Sequence, residues 1–198
     1  MQDRKEYILQ KAFEVFMAKG YDSVSMTVLQ QELRMSRGAM YRYYNGKDDL
    51  FKAVIDRYFY GMIDFVRPNF SEDMTLAERI EQNYQSLKKI SAYFDRIEGI
   101  SVVFLNYTAL LIQAAKRYSG FIDRLKVYKE TETKKWRLVI ENSIEKGEVR
   151  EDIDVEIMSM IFTKSVDLWD PDKPGRNFSK ASEDAKKMMN YIYSLIKT

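Results

Sequence analysis

Two serine-capped segments follow one another within residues 25–51, which read SMTVLQQELRMSRGAMYRYYNGKDDLF. Ser25 is a good N-cap for the first helix, and Ser36 is a good N-cap for a second, short helix over residues 37–44. A tight turn at Arg34-Met35 separates them. Two short helices around such a turn have the dimensions of a helix-turn-helix, whose second helix reaches the base edges of DNA.

The order of residues around this motif resembles that of a known protein family. The similarity runs from Gly20-Tyr21 through Ser25-Met26-Thr27 and Ser36-Arg37-Gly38-Ala39-Met40-Tyr41 to Lys47-Asp48-Asp49-Leu50. This stretch is similar to the N-terminal domain of TetR-family repressors. A second run, Gly147-Glu148-Val149-Arg150-Glu151-Asp152-Ile153-Asp154, resembles the turn that often precedes the dimerisation helices of that family.

The resemblance implies an all-α protein of about nine helices. Residues 1–47 are then a three-helix helix-turn-helix DNA-binding domain, and residues 48–198 form a larger helical domain that binds a ligand and dimerises. The implied function is that of a sequence-specific transcriptional regulator without a cofactor. We expect a repressor that binds a palindromic double-stranded DNA operator as a dimer and is released from it by a small-molecule effector.

Side chains suited to DNA lie along the second helix of the motif and beside it. Every charged residue from Leu33 to Lys47 is basic, which makes a local basic island in a chain of net charge +2. A guanidinium can bind guanine or a phosphate, and hydroxyl groups suit phosphate oxygens. Resemblance and chemistry together predict these DNA contacts: Thr27, Arg37, Gly38, Ala39, Tyr41, Arg42, Tyr43 and Lys47.

Each of these residues also has a simpler explanation. An arginine here can be a solvated surface residue, and Gly38 can serve helix packing. Ala39 can be a small surface residue, and Thr27 can cap its helix locally. The motif also departs from the family at Arg34, which stands where glycine is usual. A positive φ at that arginine would cost about 1 kcal/mol, which a phosphate contact could compensate.

The composition excludes several classes of function. The chain has 198 residues without cysteine or histidine, so the usual transition-metal ligands and the commonest general base are missing. Catalysis would rest on carboxylate, lysine or tyrosine chemistry, and the close pairs Asp152/Asp154 and Asp170/Asp172 are explained by capping and loop positions. We therefore predict neither an enzyme nor a metal site. No signal-peptide core and no run of about 18 apolar residues occurs, which favours a cytoplasmic protein.

The rest of the chain shows helical patterns only. A helix from Lys47 to about residue 65 is followed by a break at residues 67–71, and Thr75-Leu76-Ala77-Glu78 is a capping box that opens the next. Gly147 is expected to end a long helix that reaches about Lys146. Residues 170–177 form the clearest loop, and a last helix covers residues 181–196.

The larger domain offers candidates for the effector site and for the dimer interface. The predicted ligand-binding residues are aromatic: Tyr84, Phe104, Tyr107, Tyr128, Trp136 and Trp169. Apolar stripes on the last two helices favour an intersubunit four-helix bundle. The stripe on the last helix comprises Ala185, Met188, Met189, Ile192, Leu195 and Ile196, and that on the helix before it comprises Met158, Ile161, Phe162, Val166 and Trp169. Ordinary core packing explains both sets equally simply, since aromatic residues at helical spacing are more often core.

Two other classes of function stay open at this point. One is an enzyme of unknown reaction, and the other is a helical protein-interaction module whose helix-turn-helix does not bind DNA. Selection of bound DNA fragments would discriminate between them and a regulator.

Overall fold

The protein is all-α in the computed structural model, which describes residues 2–61, 63, 70–94, 103–165 and 178–198. Within these ranges there are nine α-helices and no strand, apart from an isolated bridge between Val149 and Lys197. The first four are α1 (Gln2–Lys19), α2 (Met26–Glu32), α3 (Arg37–Tyr41) and α4 (Lys47–Ile55). The others are α5 (Leu76–Phe94), α6 (Val103–Arg117), α7 (Phe121–Glu145), α8 (Val155–Lys164) and α9 (Phe178–Ile196).

The helices group into two compact units. The first comprises residues 1–65 and 97–121, and the second comprises residues 66–96 and 122–198. The first unit thus adds α4 and α6 to the three helices of the predicted DNA-binding domain. The functional boundary after residue 47 stays a prediction. Among the described helices, none is both long and apolar enough to cross a membrane.

An aromatic core holds the first unit together. Phe16 of α1 contacts Phe51 of α4 edge-on, with ring centroids 5.3 Å apart, and Tyr21 meets the same Phe51 ring at 4.6 Å. Leu29 and Met40 bring α2 and α3 into this core, where both side chains are inaccessible to solvent. Burying such side chains contributes about 1.5–3 kcal/mol each, so short helices that would not persist alone are stabilised by packing.

Two helices of the first unit differ from their predictions. The short helix predicted over residues 37–44 ends at Tyr41. The helix expected from Lys47 to about residue 65 is interrupted by a π-helical segment, Asp56–Tyr60, after which Gly61 and Ile63 are α-helical again. The Gly61 N–H bonds to the carbonyl of Asp56, five residues earlier. Such a wide turn accommodates one extra residue and occurs often at functional sites.

Predicted caps organise the second unit. The capping box is confirmed, because the Thr75 N–H donates to Glu78 Oε2 at 2.8 Å and the Glu78 N–H donates to Thr75 Oγ1 at 3.3 Å. Gly147 ends the α7 region with a φ of +71°, and Asp154 caps α8 through the Ile157 N–H at 2.9 Å. The last helix begins at Phe178, three residues before its predicted start.

Glu148 joins three parts of the second unit. Its carboxylate accepts hydrogen bonds from the Leu76 N–H and the Ala77 N–H, each at 3.1 Å, and from the Tyr193 hydroxyl at 2.9 Å. Burial raises the pKa of Glu148, but the hydrogen bonds from Ser143, Ala77, Tyr193 and Leu76 outweigh it, and the net pKa is lowered. The carboxylate therefore fixes the start of α5 beside α9.

Several predictions fall on parts of the chain that the structure does not describe. These are residues 67–69 of the predicted break, the predicted loop at 170–177, the side chain of Phe104, and Trp169.

Candidate nucleic-acid interface

The second helix of the motif is α3, and its position is set by caps and by one buried side chain. Ser25 Oγ accepts the Val28 N–H at 3.2 Å, and Ser36 Oγ accepts the Ala39 N–H at 3.3 Å. Both serines are extended, as N-caps are. Met40 lies on the inner face of α3 with no exposed surface. The helix is thereby held with its opposite face outward.

Most of the predicted DNA contacts lie on the accessible side of this motif. Arg37, Gly38, Tyr41, Arg42 and Thr27 are exposed, while Ala39 and Tyr43 are half-buried. The Arg37 guanidinium lies 5.5 Å from the centroid of the Tyr41 ring, one turn along the same helix. Four of these residues lie on α3, Arg42 and Tyr43 follow it directly, and Thr27 lies in the first turn of α2.

The exposed arginines of the motif have no acidic partner among the described residues. None of the ion pairs within the described part of the chain includes Arg34, Arg37 or Arg42. By contrast, exposed Arg57 in the same unit pairs with Glu6 at 2.8 Å. Unpaired guanidinium groups on an exposed helix leave all their donors available to an anionic partner.

Gly38 sits in open space. A methyl group added at its Cα would meet no atom within 4 Å, so the packing explanation for this glycine receives no support. A missing side chain at the start of α3 instead lets a large partner approach the backbone closely.

Arg34 adopts the left-handed backbone conformation, which the sequence had left open. Its φ is +51°, and it is the one non-glycine residue with a positive φ in the described ranges. The side chain is exposed, and the Met35 N–H that follows bonds to the Gln30 carbonyl at 2.9 Å. The turn therefore uses a conformation that suits glycine, at the cost of a strained arginine.

Lys47 differs from the other predicted contacts because its ammonium group is engaged inside the first unit. Nζ donates to the Tyr21 carbonyl at 3.1 Å and lies 4.0 Å from the Tyr21 ring centroid. Burial lowers the pKa of Lys47, nearby Arg117 lowers it further, and Asp22 opposes the change. The Lys47 side chain therefore links α4 to the turn that follows α1.

The same turn is held by α6. Arg117 Nη2 pairs with Asp22 at 3.1 Å, and its guanidinium lies 4.6 Å from the centroid of the Tyr21 ring. Gln113 Nε2 donates to the other oxygen of Asp22 at 2.7 Å. The residues that precede α2 are therefore attached to a helix outside the motif.

The predicted ligand-binding residues are distributed over both units. Tyr107 belongs to the first unit, where its ring lies 6.4 Å from that of Phe59. Tyr84 of the second unit lies under Lys186 Nζ, 4.1 Å from its ring centroid. Trp136 is almost completely buried and stacks on Phe162 at 5.0 Å. No predicted ligand residue lines the surface groove of about 740 Å³ beside the start of α5.

One buried arginine beside these aromatic residues was not predicted from the sequence. Arg79 of α5 is 1% exposed and lies 5.0 Å from the Trp136 ring centroid. Tyr128 interacts with it electrostatically. No local signal identified this arginine, because a charged residue on an amphipathic helix normally faces solvent. Its partner Glu132 lies 53 positions further along the chain.

Comparisons with known proteins agree with the motif and with the fold. The profile described as "Bacterial regulatory proteins, tetR family" matches residues 8–54. YuxN, an HTH-type transcriptional regulator of Bacillus subtilis, is 30% identical over 59 residues, which are 30% of this chain and 20% of YuxN. IcaR of Staphylococcus epidermidis, a negative regulator of the biofilm operon icaADBC, is 22% identical over 72 residues, which are 36% of this chain and 39% of IcaR.

The similarity to solved structures extends over the whole chain. A TetR transcription regulator from Haloarcula marismortui superposes with a TM-score of 0.67 at 21% identity, and the match covers 100% of both chains. At this identity the match shows the fold. The curated relatives, by contrast, are matched over less than half of their own length.

Proposed function

We propose that this chain is a transcriptional repressor of the tetR family of bacterial regulatory proteins, and that it binds a palindromic DNA operator as a homodimer. The observation that carries this proposal is the pair of exposed arginines, Arg37 and Arg42, on a helix whose other face is buried. The negative regulator IcaR supports the direction of control. Such a protein acts where the chromosome lies, so we propose a cytoplasmic location.

The roles of the side chains follow from their chemistry. Arg37 stands in the first turn of α3, where its guanidinium can donate to O6 and N7 of a guanine. Tyr41, Tyr43 and Thr27 carry hydroxyl groups that suit phosphate oxygens and fix the position of the helix on the duplex. Gly38 leaves room for the duplex to approach, and Ala39 can contact a thymine methyl group.

Exposed apolar stripes support the dimer. On α9 the accessible side chains Met188, Tyr191 and Leu195 are spaced as neighbours on one helix face, and Tyr191 is 66% exposed. On α8 the accessible pair is Ile157 and Met160. Ala185 and Met189, from the predicted stripe, are instead buried inside the second unit. Two such helices from each subunit can form a four-helix bundle that buries these stripes.

Dimerisation matters for affinity because one five-residue recognition helix makes a small interface. Two copies on half-sites about one helical turn apart multiply the binding of each. An effector that binds better to a conformation with misaligned recognition helices then weakens operator binding. The size of that weakening is limited by its difference in affinity for the two conformations.

The test is selection of genomic DNA fragments by the purified protein, followed by binding measurements at several salt concentrations. We expect one palindromic motif whose affinity falls steeply with salt. Leu195→Glu, placed in the exposed α9 stripe, is expected to give a monomer in sedimentation and to weaken binding. Leu138→Glu, at an exposed leucine on α7, is the matched control. Recovery of random fragments, or a Leu195→Glu variant that stays dimeric, would contradict the proposal.

A further inference from the structure

The buried Arg79 in the second unit is incompletely paired. Its Nη2 donates to Glu132 Oε2 at 2.7 Å, but Nε and Nη1 are both buried and have no hydrogen-bond partner within the described part of the chain. Burial lowers the pKa of Arg79, and Glu132 and Tyr128 oppose that change. Buried donors without partners are rare in folded proteins, because each carries an uncompensated desolvation cost.

The charges around Arg79 do not balance. Lys135 Nζ binds the other oxygen of the same carboxylate, Glu132 Oε1, at 2.8 Å. The side chains of Lys135 and Glu132 are 17% and 14% exposed, so two cations share one largely buried carboxylate. No other carboxylate of the described ranges forms an ion pair with either cation. The cluster has one positive charge in excess, and a single bound anion would neutralise it.

The surroundings of the cluster suit a small organic molecule. The rings of Phe70 and Trp136 lie 5.7 Å and 5.0 Å from the Arg79 guanidinium, and Phe70 is also 5.7 Å from Lys135 Nζ. Asn83 follows Arg79 by one helical turn, so both lie on the same side of α5. Its Oδ1 is buried without a hydrogen-bond donor among the described residues. The cluster therefore has unused donors, an unused acceptor and aromatic faces.

We propose that Arg79 anchors the effector of this regulator, and that the effector is a small organic acid. Its carboxylate accepts a hydrogen bond from an unpaired N–H group of Arg79. A hydroxyl or amine group on the same molecule donates to Asn83 Oδ1, and its carbon skeleton packs on Phe70 and Trp136. This inference rests on the proposed function, since it names the chemical class of the effector.

The burial of Arg79 gives the proposed site a link to conformational change. Because the guanidinium is 1% exposed, an incoming acid has to open the cluster before it binds. The acid then favours the opened conformation over the closed one. That difference in affinity is what an effector needs in order to shift the population of a regulator.

The direct test compares carboxylates with their neutral amides on the full-length chain. The probes are 4-hydroxybenzoate, benzoate and acetate, each against its own amide at equal ionic strength. We expect the aromatic acids to raise the thermal midpoint by about 3–5 °C at ten times their Kd, and the amides to leave it unchanged. In a Trp169→Phe background, the fluorescence of Trp136 should respond to the same acids.

Variants assign the response to Arg79. Arg79→Met is expected to abolish it, and Arg79→Lys to weaken it while keeping the charge. Arg137→Met, at an exposed arginine of α7 that pairs with Glu141, is expected to respond as the wild type does. Asn83→Leu should remove the preference for 4-hydroxybenzoate over benzoate. Equal responses to acids and amides, or an unchanged response in Arg79→Met, overturn the inference.

The ligand-free protein provides a second readout. A residue kept for binding rather than for folding carries a stability cost, so Arg79→Met should melt at or above the wild-type temperature while Glu132 remains paired with Lys135. A large drop in its midpoint contradicts a binding role.

Operator binding is measured on the same samples. Operator binding without discrimination of acids from amides rejects this inference alone, whereas Arg79-dependent acid binding without operator binding rejects only the proposed function.

Discussion

Arginine serves opposite purposes in the two units of this protein. In the first unit, Arg37 is exposed, stacks beside Tyr41 and has no acidic partner in the described part of the chain. In the second, Arg79 is buried and shares one carboxylate with Lys135. An exposed charge costs little because water solvates it, whereas a buried one depends on each of its contacts. The first unit can therefore keep exposed charges free for a partner. The buried Arg79 of the second unit depends instead on the carboxylate of Glu132.

The largest expected effect tests the buried side of this comparison. Glu132→Ala leaves Arg79 and Lys135 without their anion, so we expect it to lower the free energy of unfolding by about 3–5 kcal/mol. Chemical denaturation measures this loss. Glu130→Ala removes an exposed glutamate from the same helix and should change stability by less than about 0.5 kcal/mol. A loss as small in Glu132→Ala as in Glu130→Ala would show that the buried charges need no carboxylate.

The exposed Arg37 is expected to affect the affinity for DNA strongly and the stability of the fold not at all. Arg37→Ala should weaken operator binding by about 1–3 kcal/mol and leave the unfolding curve unchanged. Fluorescence anisotropy with a labelled operator gives the affinity. Arg57→Ala, whose arginine already pairs with Glu6, is the control and should bind DNA normally. Equal affinities for Arg37→Ala and the wild type would remove this arginine from the interface.

Arg34 combines backbone strain with an exposed charge. Arg34→Gly relieves the positive φ and should raise the free energy of unfolding by up to about 1 kcal/mol, whereas Arg34→Ala keeps the strain and should not. If the guanidinium contacts a phosphate, both variants lose the same amount of DNA affinity. Thermal and anisotropy measurements on the pair separate strain from contact, and a less stable Arg34→Gly would disprove the strain.

The smallest expected effect concerns Gly38. Because open space surrounds its Cα, Gly38→Ala should stabilise α3 by about 0.5–1 kcal/mol through helix propensity. The affinity for DNA should fall in the order Gly38, Ala, Val as bulk increases at the surface that approaches the duplex. Affinities that do not change along this series would show that nothing approaches this glycine closely.

The motif was predictable from the sequence because its determinants are local. The caps at Ser25 and Ser36, the turn at Arg34 and the glycine at Gly38 each act within a few residues. Their spacing alone distinguishes a helix-turn-helix. The structure confirms the caps, and it shows a positive φ at Arg34, which the sequence had left open. The DNA contacts themselves stay predictions, since they depend on a partner.

Features that depend on distant residues were not predictable in the same way. Periodicity marks Ala185, Met188, Met189 and Leu195 as one apolar stripe, but packing inside the unit buries the first and third and leaves the others exposed. Arg79 and Glu132 meet only after α5 and α7 pack together, so neither signals the other along the chain. The π-helical turn at 56–60 has no propensity signal either, because it arises from a single extra residue within an ordinary helix.

The central claim is that the exposed arginines of α3 read DNA. Its most direct test is the affinity for the selected operator and for a scrambled duplex, measured against salt for the wild type and for the Arg37→Ala/Arg42→Ala variant. We expect a steep salt dependence and a strong operator preference for the wild type. For the variant we expect at least about a tenfold loss of affinity for the operator and a shallower slope, with an unchanged melting temperature. Equal affinities and equal slopes for the two proteins would contradict it.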